Sequence, residues 1–166
     1  VFGPPKMAVC DADYMIGFHA STLVKDDGEI QIGIGSLGDA LVYSLCLREK
    51  DNSSYNEALK ELDITSEHFP IIERSGSTDT FEKGLFAATE MFVDCFADLY
   101  KSGILKKKCY DSVVLQRLLN EGKIKEEFGS NILVSLNQEG AIHSHLTEKD
   151  VTFLKEFGVF KSTCIW

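Results

Sequence analysis

The chain is short of positive charge and of proline: 17 Lys plus Arg stand against 26 Asp plus Glu, with three prolines and one tryptophan in 166 residues. The resulting net charge of −9 argues against a nucleic-acid partner or an anionic membrane surface, both of which need clustered cations. Long apolar runs are also missing. The longest, Ala40 to Leu47, is interrupted and far below the roughly 20 residues that cross a bilayer, so no membrane span is expected. Cysteine is present but in the wrong pattern for a framework: Cys10, Cys46, Cys95, Cys109 and Cys164 are odd in number and include no Cys-x-x-Cys pair. That pattern excludes a disulfide scaffold and a zinc knuckle and fits reduced, packed thiols in a cytoplasmic protein. His143 and His145 come nearest to a metal motif. They lack a third ligand at useful spacing, so a loop or edge strand is expected there and no metal site.

What remains is the make-up of one globular domain spanning 1–166, at 44% hydrophobic and 26% charged. The chain opens Val-Phe-Gly-Pro-Pro, with no initiator methionine and no signal-peptide pattern, and is expected to be a piece of a longer polypeptide or a processed product.

Periodicity orders the chain as helix, strand, helix from Asp11 to Glu49. Met15, Ile16, Phe18, His19 and Leu23 recur at helical spacing behind Asp11 or Asp13 as N-cap, Glu29 to Ile34 alternates with period two, and Leu37 onward resumes helical spacing. Residues 51–80 are polar and broken, and are expected to form a surface excursion with one short helix near Tyr55 to Leu62. A second unit follows, a short buried strand from Leu85 to Ala88 leading into a helix over Met91 to Tyr100. Further on, the pattern predicts a helix at Ser112 to Asn120, a strand at Asn131 to Leu136, and a helix opened by Thr147-Glu-Lys-Asp150 as a capping box. Lys106-Lys107-Lys108 reads as a solvated helix end. Helices alternating with short strands make the expected fold class α/β.

Two places carry chemistry. Gly33-Ile-Gly-Ser-Leu-Gly38 satisfies G-x-G-x-x-G between a strand and a helix, where glycines allow close backbone approach and free helix N–H groups face an oxygen anion. The dinucleotide fingerprint also needs a second parallel strand directly after the helix, ending in an acid. Asp51-Asn-Ser-Ser cannot supply it, and Asp39 places a carboxylate at the helix start. The other place is Glu90, an acidic residue at a strand-to-helix junction. It is either a dipole-favoured acid at a helix start or a carboxylate delivered to the ligand end of a sheet.

Together, Asp27-Gly-Glu-Ile-Gln-Ile-Gly-Ile-Gly-Ser-Leu-Gly-Asp-Ala40 and Thr89-Glu-Met-Phe-Val-Asp94, followed by Asp98-Leu99 and Gly103-Ile104, resemble the acetyl-CoA hydrolase/transferase family. This family, within the class I CoA-transferase superfamily, includes 4-hydroxybutyrate CoA-transferase-like enzymes. The tail from Leu146 to Gly158 resembles a bacterial branch of it. The resemblance implies a layered helix-sheet-helix domain of the CoA-transferase type, with Glu90 as nucleophile forming a glutamyl-CoA thioester and with Gln31, Gly33, Gly35 and Gly38 contacting CoA. It implies no cofactor, with coenzyme A as substrate beside a small carboxylate, and it implies the remainder of the same polypeptide, and a homo-oligomer, as partners. Ala88 stands where several members carry His, Cys95 where Gly is common, and the family's later glycine-rich segment has no counterpart before Trp166. A non-catalytic CoA- or nucleotide-binding module and an NAD-dependent oxidoreductase are the competing expectations.

Overall fold

A computed structural model describes residues 6–127, 129 and 131–163. The chain packs as two compact units, Val1–Lys108 and Cys109–Trp166, where the sequence reading takes 1–166 as one domain. Unit 1 holds α1 (Asp11–Thr22), β1 (Glu29–Ile32), α2 (Ser36–Lys50), α3 (Asn52–Glu61), α4 (Ile71–Ser75), β2 (Phe86–Thr89) and α5 (Asp94–Lys101). Unit 2 holds α6 (Val113–Asn120), α7 (Ile132–Gln138) and α8 (Glu148–Glu156). The protein is therefore mixed α/β, mostly helical, with a single two-stranded parallel sheet among the described residues.

In unit 1, β1 and β2 pair with Glu29 opposite Phe86 and Ile32 opposite Thr89. Side chains alternate across strands. Glu29, Gln31, Phe86 and Ala88 lie on the exposed face, while Ile32 turns into a core with Val42, Leu45, Phe81, Leu85, Leu99 and Ile104. Each fully buried leucine or isoleucine there contributes about 1.5–3 kcal/mol through removal from water. The strand expected to be buried is half open, because only one of its faces is covered.

Residues 51–80 differ from the expected surface excursion. Tyr55, Leu59, Ile64 and Ile72 form a second buried cluster against Phe18 of α1. The polar residues between them supply turns and caps: Asp51 accepts from the Ser54 N–H at 3.0 Å to start α3. The lysine run also differs. It follows α5 as extended chain, with Lys106 Nζ donating to the Phe81 carbonyl at 2.6 Å and Lys107 Nζ to the Asp27 carbonyl at 2.7 Å. These lysines tie loops together rather than crown a helix. At the first helix the cap falls on Cys10, whose N–H donates to Asp13 at 3.1 Å.

Unit 2 contains the clearest correction. Residues 132–138 form α7, not a strand, because Ile132 and Leu136 at i and i+4 both enter an apolar cluster with Leu115, Leu118, Ile124, Ile142 and Leu154. Its last helix starts as expected. Thr147 and Asp150 close a capping box at the head of α8.

Candidate functional site

A parallel pair in register brings its two strand ends side by side. Since Ile32 faces Thr89, the chain leaves β1 at Gly33 and β2 at Glu90 as neighbours, and the glycine loop and the acidic residue meet at the carboxyl end of the sheet. Thr89 Oγ1 donates to the Met91 carbonyl at 2.7 Å, which bends the chain at Glu90 before α5 begins. Glu90 is exposed and takes no hydrogen bond or ion pair from any described residue. Gln31 lies one step back on the open face, opposite Ala88.

The glycines divide by role. Gly35 caps α2 with φ at 116°, a conformation that side chains resist. Gly38 sits so tightly against β1 that an added Cβ would stand 2.7 Å from the Gly33 carbonyl oxygen and 3.2 Å from Ile32. Gly33 has open space around it. Within this chain, then, Gly35 and Gly38 serve the fold, and Gly33 alone is not demanded by it. The helix they open has no side-chain cap, so its first N–H groups face outward beside the loop.

Apolar side chains ring this end. Ile34, Leu37, Met91 and Phe92 are all exposed, Phe92 at 74%. Just inside the helix, Asp39 accepts from the Cys95 thiol; burial first and that carboxylate second push the Cys95 pKa up to about 12, so the thiol is inert. Asp39 and Asp94 also mark one end of a groove of about 740 Å3 that runs between α2, α5 and residues 6–9. Neither Glu90 nor the three glycines line it.

Sequence reasoning missed Arg48. It is 0% exposed, lies over the Phe81 ring at 4.3 Å, and donates to the carbonyls of Ser21, Val24 and Asp79 at 3.0, 2.7 and 2.5 Å. Desolvation draws its pKa down, opposed by Tyr55, Asp79, Asp26 and Glu49 around it. It ties the loop before β1 to the loop before β2. A signal existed: Arg48 falls four residues after Ser44 and three after Leu45, within the buried stripe of α2. Asp26 does related work. Desolvation raises its pKa, but the Lys83 and Gly84 N–H groups outweigh that and hold it below its ordinary value while fixing the entry of β2.

His143 Nδ1 lies 3.0 Å from Asp150, and among the described residues no cluster of three or more His, Cys, Asp or Glu is arranged to hold a metal. Among the described residues Cys10, Cys46 and Cys95 are free thiols. No described helix is long and apolar enough to cross a membrane. Set against family models, curated proteins and solved structures, the chain matches none.

Proposed function

We propose that this chain carries the nucleophile of a cytoplasmic CoA-transferase or acyl-CoA hydrolase acting on acetyl-CoA-like thioesters. The observation that supports it is the strand register, by which the chain leaves β2 at Glu90 next to where it leaves β1 at Gly33, the start of the glycine loop. A carboxylate needs no partner base to attack, and a covalent intermediate divides a difficult transfer in two. In this reading a Glu90 oxygen attacks the thioester carbonyl carbon, CoA leaves as thiolate, and an acyl-glutamyl anhydride remains. The thiolate then attacks the glutamyl carbonyl carbon and expels the acyl group as its carboxylate, leaving glutamyl-CoA for transfer or hydrolysis. Gly33 leaves room for the acyl group, and the outward N–H groups of α2 face developing negative charge. The layered CoA-transferase fold, the missing donors and the second wall of the cleft belong to the remainder of the polypeptide in this reading.

The test is to incubate the protein, expressed from its full reading frame, with acetyl-CoA, trap with borohydride or hydroxylamine, and map the modified peptide by mass. Modification should fall on Glu90. Glu90→Gln should lower turnover by several orders of magnitude with folding unchanged; a variant keeping over a tenth of the rate, under ~1.4 kcal/mol of transition-state stabilisation, would exclude Glu90 as nucleophile.

One observation favours a second reading, a nucleotide-binding module. The parallel neighbour that the glycine fingerprint requires is β2, supplied much later in the chain than the usual pattern, and it ends in an acid at Glu90. Nucleotide binding without modification of Glu90, weakened in Glu90→Gln, would select this reading.

A further inference from the structure

Resting on the CoA-thioester reading, we infer that the groove between α2 and α5 holds the phosphopantetheine arm of the substrate. Its two ends differ in charge. At one end lie Asp39, directly after the glycine loop, and Asp94, shortly after Glu90; at the other lie Lys50 and Lys101, the last residues of α2 and α5. Between them the wall is mixed, with Val42, Tyr43 and Leu47 from α2 giving an apolar stretch and the Cys46 thiol and the Asp98 carboxylate of α5 lining it as well. From Asp39 to Lys50 the helix rises about 16 Å at ~1.5 Å per residue, a span an extended phosphopantetheine arm covers.

The charge order decides the occupant. Among the described residues neither lysine has an ion-pair partner, although the chain as a whole is strongly acidic. Two unpaired ammonium groups at the far end suit a phosphate. The apolar stretch suits the gem-dimethyl and methylene groups of the arm, and the carboxylates at the near end accept from its amide N–H groups. An uncharged chain would leave the lysines unused, and a cationic peptide would meet them head-on. Lys6, paired with Asp94 at 3.8 Å, borders the near end, where the thiol emerges toward Glu90.

The experiment is calorimetric titration of the 166-residue chain with 4′-phosphopantetheine, pantetheine and CoA at low salt. Phosphopantetheine and CoA should bind comparably, and pantetheine at least tenfold more weakly. Lys50→Glu with Lys101→Glu should cost phosphopantetheine at least tenfold and leave pantetheine within twofold; both lysines are exposed, and an unchanged circular dichroism spectrum verifies folding. Equal affinity of the double variant, equal affinity of pantetheine and phosphopantetheine, binding of CoA alone, or no binding at millimolar ligand would each overturn the inference. Trapping on Glu90 with lysine variants of unchanged affinity would remove the groove and keep the nucleophile. Lysine-dependent binding with an unmodified Glu90 would do the reverse.

Discussion

Unit 1 and unit 2 solve the same problem by different means. Unit 2 is three short helices closed around one apolar cluster, and its polar groups act mainly at helix ends: Ser112 caps α6 and Thr147 caps α8. Unit 1 must also bring together segments distant in the chain. It does so with charged side chains, through Arg48 on three carbonyls, Asp26 on two amides, and Lys106 and Lys107 on two more carbonyls. Both candidate features, the strand-end site and the groove, lie in unit 1. Local capping builds helices, whereas aligning the ends of two strands takes long-range polar ties.

The comparison breaks first at Arg48. Replacing it by Met keeps the apolar stem but removes the donor of three carbonyls; the Ser21 oxygen keeps the Val24 N–H, while the half-buried Val24 and Asp79 oxygens lose the guanidinium at about 1–3 kcal/mol each, so a total loss of roughly 2–6 kcal/mol is expected. Hydrogen exchange should show β1, β2 and α2 opening while the amides of α6 to α8 keep their protection. Loss of protection in unit 2 to the same degree would show that the two units do not differ in this way.

A smaller effect separates the glycines. Gly38→Ala drives a Cβ against the Gly33 carbonyl at 2.7 Å, and overpacking of this kind costs about 1–3 kcal/mol. Gly33→Ala meets nothing within 4 Å and should change stability by less than about 0.5 kcal/mol, yet lower thioester turnover if Gly33 gives room to the acyl group. Thermal unfolding of both variants, with turnover of the second, checks the pair. A Gly33→Ala protein as stable and as active as wild type would leave Gly33 with no role in the site.

Legibility in the sequence follows the same division. Helix starts were readable where capping is local: Thr147 with Asp150, and Ser112 ahead of α6. β1 was readable from its alternation, since one face of the sheet is covered and one is open. Residues 132–136 were not, because five residues rich in Ile, Leu and Val satisfy both periods and only the cluster around Leu136 chooses the helix. The core of residues 51–80 was hidden because Tyr55, Leu59, Ile64 and Ile72 are widely spaced among polar residues. Of the candidate site, the residues were visible and their meeting was not. The pairing of Ile32 with Thr89 is a long-range fact, and the only local sign of Arg48, which ties the loops behind it, is its place in the buried stripe of α2.

The smallest expected effect is one of pH, and it sharpens the view of unit 2. Asp150 accepts from the Thr147 N–H at 2.7 Å, from the Thr147 hydroxyl at 2.8 Å and faces His143 Nδ1 at 3.0 Å. Led by the Thr147 backbone donor, and against desolvation, these contacts lower its pKa from 3.8 to about 2. A carboxyl whose folded pKa lies below its unfolded value stabilises fully above the unfolded value and loses that contribution as pH falls through the folded one. The capping box of α8 should therefore weaken between pH 3.8 and about 2. Asp150→Asn should begin less protected at neutral pH and show a flatter acid response in α8 amides. Asp26 has a lowered pKa too, so the readout must be confined to α8 and the loop before it. If wild type and Asp150→Asn lost α8 protection with the same slope across that window, the acid sensitivity would belong to other carboxylates, and the end of α8 would be held by its apolar contacts alone.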